Sequence, residues 1–395
     1  MGFQKFDRVL EELHADTAFE GGVDGRTNEV PRDCGVRDCA RCGRGHVLRR
    51  RGLESILSSH LEQVAVAPIG CRMGHDASAH LGSRMFPSTA GEPENLVSIL
   101  VPSYNHEKYV IECLESIRCL NYRRLELILS DDCSRDSTFM LAEQWARLNA
   151  GRFERTLIVR QEKNLGITKN LQFLFDRAEG DYLAYIASDD SFVESAIAFR
   201  VKLLQESPNL DAVFGNAQYI SDSSAVLKER FIPDWVAREL ISKRLLVPSL
   251  LLNWRVPGPV MMLRRTAVLN GGSLGILPTD LKGEDKYIYL RLASCGKLRF
   301  ENVIVAKYRS VQDSMSWGPS KSRAVLEYLV HSDRRNMYLL SGFNRYVAKT
   351  RIARIQLELS KENVAFYELK KLVLRCLVTQ FRVVLFICAL FRLRK

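Results

Sequence analysis

The sequence lacks the multiple long apolar runs that a polytopic membrane protein would need. The most apolar stretch near the C-terminus, residues 383–391, contains nine apolar residues, whereas a transmembrane helix needs about 20. Arg375 and Arg382 interrupt any longer window. We therefore expect an interfacial helix at 383–391 rather than a membrane span.

A disulfide framework and a signal peptide are also missing. The ten cysteines include Cys113, Cys119, Cys133 and Cys295, which lie in or beside predicted core elements without the paired spacing of small secreted proteins. Residues 1–13 are mixed and charged rather than apolar. A reducing, cytoplasmic setting is the prediction.

Sustained apolar periodicity is absent from residues 1–94, which are rich in Gly, Arg and short polar stretches. This composition predicts a poorly ordered N-terminal extension. Cys34, Cys39, Cys42 and His46 are close enough in sequence to suggest a zinc site, since thiolate and imidazole are the usual zinc ligands. Disorder, or a start codon assigned too far upstream, explains the same residues, and the sequence leaves these alternatives open.

Net positive charge is confined to the C-terminal part of the chain, since the charges of residues 1–317 sum to zero. The formal charge is +11, and residues 318–395 alone hold 16 Lys and Arg against 5 Asp and Glu. We predict basic helices there that contact an anionic membrane surface. No nucleic-acid partner is expected, because the aromatic residues of this region fall at helical spacings that suit packing at least as well as base stacking. These aromatics are Tyr328, Tyr338, Phe343 and Tyr346.

From residue 95 onward, short apolar runs alternate with amphipathic segments, which predicts an α/β fold with a doubly wound, mainly parallel sheet flanked by helices. The predicted strands are 96–101, 125–129, 156–159, 182–187, 212–215, 260–263 and 299–308. The predicted helices are 110–120, 137–148, 167–178, 192–205, 234–247 and 284–293. We expect one domain over 95–317, followed by the basic helical region 318–395.

Three acidic clusters carry the functional signal. Asp131, Asp132 and Asp136 follow one predicted strand, Asp189 and Asp190 follow another, and Glu284-Asp285 opens a predicted helix. Ligands of open α/β sheets bind at the carboxyl ends of the strands, where these clusters can gather. Carboxylates held together repel each other unless a cation neutralises them, so a divalent metal and a phosphorylated ligand are expected.

Each cluster also has a purely structural interpretation. Asp132 could form an Asx turn, and Asp136 is well placed to cap the helix that follows. The pairs at 189–190 and 284–285 could be favourable negative charges in first helical turns. Residues 102–105 could be an ordinary turn that ends a strand.

Taken together and in order, five motifs resemble the family 2 glycosyltransferases, which have the GT-A fold. The resemblance covers about residues 96–316. The motifs are VSILVPSYN at 97–105, SDDCSRDST at 130–138, NLG at 164–166, ASDD at 187–190 and GEDKYIYLRL at 283–292.

The resemblance implies a role for each matched residue. Asp285 would be the catalytic base, with Glu284 orienting it or the acceptor. Asp190 would bind Mg²⁺ or Mn²⁺. The implied donor-binding residues are Pro102, Tyr104, Asn105, Asp132 and Asp189, with Asp132 accepting from the imide N–H of uracil or thymine. Relatives often carry a histidine where this chain has Val311, so the resemblance provides no third protein ligand to the metal.

The expected activity is inverting, metal-dependent transfer from a UDP- or dTDP-sugar to a saccharide or lipid-linked saccharide, in cell-surface polysaccharide synthesis. The Gln-x-x-Arg-Trp signature of processive relatives is missing, so we expect one sugar per encounter. The enzyme would work as a peripheral protein on the inner face of the cell membrane. The alternatives are an inactive GT-A scaffold and a nucleotidyltransferase, although 102–108 lacks the Gly-rich phosphate loop of the latter.

Overall fold

The computed structural model describes residues 95–281, 284–310 and 323–360. The predicted N-terminal extension with its candidate zinc ligands, the apolar run 383–391 and Val311 lie outside the described residues. The four cysteines in the described ranges are all free thiols, as the absence of a disulfide pattern predicted. None of the described helices is long and apolar enough to cross a bilayer.

One sheet organises the described residues. Its strands are β1 Val97–Ser103, β2 Leu125–Asp131, β3 Arg155–Arg160, β4 Tyr182–Tyr185, β5 Ser191–Phe192, β6 Ala212–Ile220, β7 Val226–Lys228, β8 Met261–Arg264 and β9 Leu298–Arg309. The order is β3-β2-β1-β4-β8-β6-β9-β5, with β7 paired to β6. The predicted α/β architecture is confirmed, and β8 joins its neighbours β4 and β6 in antiparallel fashion.

Helices connect and flank these strands. They are α1 Val110–Arg118, α2 Thr138–Asn149, α3 Ile167–Arg177, α4 Ala198–Gln205, α5 Asp234–Ile241, α6 Leu246–Leu252, α7 Arg265–Val268, α8 Asp285–Ser294, α9 Arg323–Asn336 and α10 Gly342–Ser360. Apolar residues at helical spacing explain their positions: in α1 the buried side chains are Val110, Cys113, Leu114 and Ile117. The predicted basic helices are confirmed for α9 and α10, which pack on each other through Leu326, Leu329, Val330, Ile352 and Ile355.

Two predicted helices are wrong in extent. The helix expected over 192–205 begins only at Ala198, because the backbone of Ser191 and Phe192 pairs with β9 instead. The helix expected over 234–247 ends at Ile241, and a second one starts at Leu246. The restart places Pro248 in a first helical turn, where its missing N–H costs no intrahelical hydrogen bond.

The parallel strands β1, β2 and β4 position the site. Every residue of these three strands is buried, as expected for strands covered by helices on both faces. Because the strands run in the same direction, their carboxyl ends lie at one edge, with Ser103 of β1 in register with Asp131 of β2. The first two acidic clusters follow β2 and β4 at this edge.

Candidate active site

The end of β1 lies at the centre of the site and is tied to both neighbouring strand ends. The N–H of Asp132 donates to the carbonyl of Ser103 at 2.8 Å, and the N–H of Ser188 donates to the carbonyl of Pro102 at 3.3 Å. The hydroxyls of Ser103 and Ser188 are 2.7 Å apart. These contacts bring the first and second acidic clusters to either side of the predicted donor-binding motif.

The Asp132 carboxylate is buried and anchors a loop. Its two oxygens accept the N–H groups of Leu165, at 2.6 Å, and Gly166, at 2.9 Å. Gly166 has φ +80°, a left-handed conformation that glycine adopts without steric cost. Asp132 thus joins two of the five sequence motifs, and its contact with a nucleotide base stays a prediction.

Other members of the predicted donor motif shape the same edge. Asn105 has φ +55°, and its side-chain oxygen accepts the N–H of Arg135 at 2.9 Å. Asp136 lies just before the N-cap residue Ser137, and its carboxylate accepts the N–H of Thr138, the first residue of α2, at 3.0 Å, which supports its structural interpretation. Tyr104 is 39% exposed, so its ring lies at the surface of the edge, where a ligand could stack on it.

Asp189 and Asp190 have different environments. Asp190 is 3% exposed, and its Oδ1 accepts the N–H of Arg309 at 2.8 Å. Burial, followed by the charge of Asp189, raises the pKa of Asp190 well above its ordinary value. Asp189 is only partly buried, so it is the member of the pair that a ligand can reach directly.

Two residues that sequence reasoning missed complete this part of the site. Nδ1 of His106 lies 2.9 Å from the Ser188 hydroxyl and 3.7 Å from Oδ1 of Asp189. The Arg309 guanidinium is buried and donates to the carbonyls of Asp189, at 2.7 Å, and Asp222, at 2.9 Å. His106 directly follows the first motif and could have been flagged by that position, whereas nothing local marks Arg309.

A divalent cation fits this donor set. The described residues include no group of three or more His, Cys, Asp or Glu side chains able to hold a metal ion. Mg²⁺ commonly uses only one or two carboxylates together with substrate phosphates. Asp189, with the buried Asp190 next to it, matches that pattern, because its carboxylate provides oxygen ligands suited to Mg²⁺ or Mn²⁺.

Glu284 and Asp285 lie at the start of α8, as predicted. Tyr185 of β4 donates its hydroxyl to Oδ1 of Asp285 at 3.4 Å. Burial raises the pKa of Asp285 to about 6. For Glu284, burial and then the charge of Asp285 raise the pKa to about 8. The side-chain hydrogen bond between the two raises the pKa of Glu284 and lowers that of Asp285, so Asp285 is the member of the pair that ionises at lower pH.

The second and third acidic clusters are close enough to interact electrostatically. The charge of Asp285 contributes to the raised pKa of Asp190, so the two carboxylates are near enough to interact. Tyr185, which donates to Asp285, is three residues before Ser188 on the same stretch of chain. The fold thus brings a carboxylate suited to proton abstraction close to carboxylates suited to a metal and a diphosphate.

Several known proteins are similar to this chain in sequence. Residues 98–271 match the model of glycosyl transferase family 2. Bacillus subtilis TuaG, named for teichuronic acid biosynthesis, is 24% identical over 56% of this chain and 81% of its own length. WfgD of Escherichia coli, a UDP-Glc:alpha-D-GlcNAc-diphosphoundecaprenol beta-1,3-glucosyltransferase, is 26% identical over 56% of this chain and 79% of its own length.

Among solved structures, the mannosyltransferase PcManGT from Pyrobaculum calidifontis, in complex with GDP-Man and Mn²⁺, aligns with a TM-score of 0.49 and 17% identity. The alignment covers 76% of this chain and 87% of PcManGT. The family match and the relatives in sequence agree with the five motifs and with the α/β sheet described above. Residues 98–271 are therefore a domain of the glycosyl transferase family 2 type, and the relatives that this chain matches are named as glycosyltransferases.

Proposed function

We propose that this enzyme transfers a sugar, with inversion, from a UDP- or dTDP-sugar to a hydroxyl of a saccharide or lipid-linked saccharide. The observation that carries the proposal is the pairing of Asp285 with Glu284 at the start of α8. Burial raises both pKa values, and the charge of Asp285 raises that of Glu284 further, to about 8 against about 6 for Asp285, so Asp285 is the carboxylate better able to ionise and take a proton near neutral pH. A general base is most effective when its pKa lies near the working pH.

The proposed reaction needs one proton acceptor and one leaving group, which are Asp285 and the nucleoside diphosphate. Asp285 accepts the proton of the acceptor hydroxyl while that oxygen bonds to the anomeric carbon. The bond between this carbon and the diphosphate oxygen breaks, and the nucleoside diphosphate leaves from the opposite face. Attack from the face opposite the leaving group inverts the anomeric configuration. The Tyr185 hydroxyl, donating to Oδ1 of Asp285, orients the carboxylate for this transfer.

Metal dependence is part of the proposal. Mg²⁺ or Mn²⁺ bound at Asp189 would neutralise charge on the departing diphosphate. The sequence-based prediction assigned the metal to Asp190, but the burial of Asp190 and its hydrogen bond to the N–H of Arg309 favour Asp189. We therefore assign direct metal and diphosphate contact to Asp189. Asp190 is assigned to hold the chain around Arg309.

The names of the two relatives support the choice of substrates. WfgD is named for a UDP-glucose donor and a diphosphoundecaprenol-linked acceptor, and TuaG for the biosynthesis of teichuronic acid. We propose by analogy that this enzyme acts on a lipid-linked saccharide in cell-surface polysaccharide synthesis. It would then work in the cytoplasm, at the inner face of the cell membrane.

The test of this function is a thermal-shift panel on the full-length protein. UDP-glucose, UDP-GlcNAc, dTDP-glucose, GDP-mannose and CMP-sialic acid are each added with and without Mn²⁺. A ligand at 100 times its Kd adds about 2.7 kcal/mol to the free energy of unfolding, which raises Tm by several degrees. We expect this shift with a UDP- or dTDP-sugar only when Mn²⁺ is present. No shift with any of the five would contradict the donor-site assignment.

The exposed face of α5 and of the turn after it is a candidate for membrane contact. Trp235 is 46% and Ile241 58% exposed, and the exposed charged residues around them are Arg238, Lys243 and Arg244, with one acidic residue, Asp234. Amphipathic helices that lie on anionic membranes combine Trp or aliphatic side chains with Lys and Arg in this way. We propose that this face holds the enzyme at the membrane where a lipid-linked acceptor would be located.

Vesicle sedimentation checks this surface. The wild type is expected to sediment with vesicles of anionic phosphatidylglycerol, and less so in 0.5 M salt because salt screens the basic residues. The double change Trp235→Ala, Ile241→Ser should weaken binding at least about tenfold, because a large side chain contributes about 1.5–3 kcal/mol when fully buried and about 1.4 kcal/mol corresponds to a factor of ten. Leu148→Ala is the matched control, because Leu148 is 79% exposed on a different helix, α2. Equal binding by the wild type and the double variant would reject this face.

A further inference from the structure

Helix α9, which follows the sheet in sequence, contacts the start of α8, the helix that carries Asp285. The backbone N–H of Lys286 donates to the hydroxyl of Tyr328 at 3.1 Å. Amide groups in the first turn of a helix have no acceptor within the helix itself, so Tyr328 supplies the partner that α8 lacks. Both residues lie outside 98–271, the part that matches the family model.

A buried ionic cluster makes a second connection between the same helices. The ammonium of Lys286 and the carboxylate of Asp333 are paired, and both side chains are fully buried. The guanidinium of Arg351, from α10, contacts the other oxygen of Asp333. The side chain next to Asp285 in sequence is therefore held by two helices that follow the matched domain.

The same helix also holds the chain before the catalytic pair. Arg335 of α9 forms an ion pair with Asp280, which is four residues before Glu284. Asn336 donates to the carbonyl of Tyr287 at 3.3 Å. Contacts from α9 thus lie on both sides of Glu284 and Asp285, and they limit where the two carboxylates can sit.

Stability alone does not account for this cluster. A buried ion pair contributes little more than well-packed apolar residues of similar volume, since desolvation offsets most of the attraction. The pair instead fixes the position of Lys286, because its ammonium can contact the Asp333 carboxylate from only a few positions. Tyr328 is also electrostatically close to the site: burial and then the charge of Asp285 raise the pKa of Tyr328 well above its ordinary value.

We propose that α9 is part of the catalytic site, and that Tyr328 and Asp333 are positioning residues that fix Asp285 through the backbone N–H and the side chain of Lys286. This inference rests on the proposed role of Asp285 as the base. It implies that loss of the contacts from α9 would leave donor binding in place but slow the transfer of the sugar.

The experiment compares two tyrosine variants of the full-length enzyme. Tyr328→Phe removes the hydroxyl that accepts the Lys286 N–H. The control is Tyr338→Phe. It removes a hydroxyl that contacts Arg291, which lies near the C-terminal end of α8. The kcat and KM for release of nucleoside diphosphate are measured with the sugar nucleotide that stabilises the wild type. Exchange of the Lys286 amide with deuterium is measured in parallel.

We expect Tyr328→Phe to lower kcat about 10- to 100-fold, as a small misplacement of a catalytic group can do. The KM for the donor and the donor-induced thermal shift should stay within about twofold of the wild-type values. The carboxylates proposed to bind the donor, Asp132 and Asp189, follow β2 and β4 and do not contact Tyr328. The Lys286 amide should exchange faster. The control should change none of these quantities by more than about twofold.

Asp333→Asn provides a second variant with the same expected pattern, a lower kcat with an unchanged donor shift. Wild-type kcat and unchanged amide exchange in Tyr328→Phe would overturn the inference while leaving the proposed function intact. A wild type that binds no sugar nucleotide would instead overturn the proposed function, and the amide exchange would still report whether α9 holds α8. Equal loss of kcat in the control would also overturn the inference.

Discussion

Replacing Asp285 with asparagine should lower kcat about 10²- to 10⁴-fold, the usual contribution of a general base. Asparagine keeps the size of the side chain and can still accept the hydroxyl hydrogen of Tyr185, but it cannot take a proton from the acceptor. Binding of the donor should be nearly unchanged, because the thermal shift depends on the carboxylates at the ends of β2 and β4. The measurement is the rate of nucleoside diphosphate release, with the donor-induced thermal shift recorded on the same preparation.

Glu284→Gln is the matched control for that change. The pKa of Glu284 is raised to about 8, a shift that favours the neutral form, which glutamine resembles. We expect a loss of no more than about tenfold. If Asp285→Asn retained wild-type activity, Asp285 would not be the base. If the wild type bound the donor but released no product, the scaffold interpretation of this fold would be favoured.

The same pair of residues predicts the pH dependence of the reaction. Asp285 accepts a proton only when it is ionised, and burial raises its pKa to about 6. The rate should therefore increase about tenfold per pH unit below about 6 and level off above it. A pH profile of kcat from pH 4.5 to 8 measures this limb. A rate that is constant from pH 5 to 8 would contradict the assignment.

The second large effect is expected at the aspartate pair. Asp189→Asn should abolish the part of the donor-induced thermal shift that depends on Mn²⁺, because the accessible carboxylate is lost. Asp190→Asn should retain most of that shift, since an amide oxygen can still accept the N–H of Arg309. Titrations of Mn²⁺ in the presence of UDP-glucose, monitored by Tm, compare the two variants directly.

Asp190→Ala separates structure from binding. It leaves the N–H of Arg309 without its acceptor in a buried site, which costs about 1–3 kcal/mol, so the Tm of the ligand-free protein should fall. Asp189→Ala, at a more accessible position, should lower it less. Loss of the metal-dependent shift in Asp190→Asn, with retention in Asp189→Asn, would restore the sequence-based assignment of the metal to Asp190.

Much of the fold was predictable because its signals are local. Buried parallel strands are short apolar runs, and helices show periodic apolar residues, so strands such as β1 and β2 and helices such as α1 were located from sequence. The extents of α4 to α6 were not, since they depend on pairing with β9 and on where Pro248 can be accommodated. The pairing with β9 involves residues more than 100 positions apart, such as Ser191 and Lys307.

For the site, the sequence identified the carboxylates and, because two of the clusters follow strands, indicated that these lie at one edge of the sheet. What each carboxylate can do depends on its surroundings in the folded protein. Contact between Glu284 and Asp285 and the hydrogen bond from Tyr185 separate their pKa values, and burial makes Asp190 less accessible than Asp189. The partners responsible, Tyr185, Arg309 and Tyr328, come from distant segments. Desolvation and hydrogen bonding depend on what surrounds a group in space, which no local pattern of residues encodes.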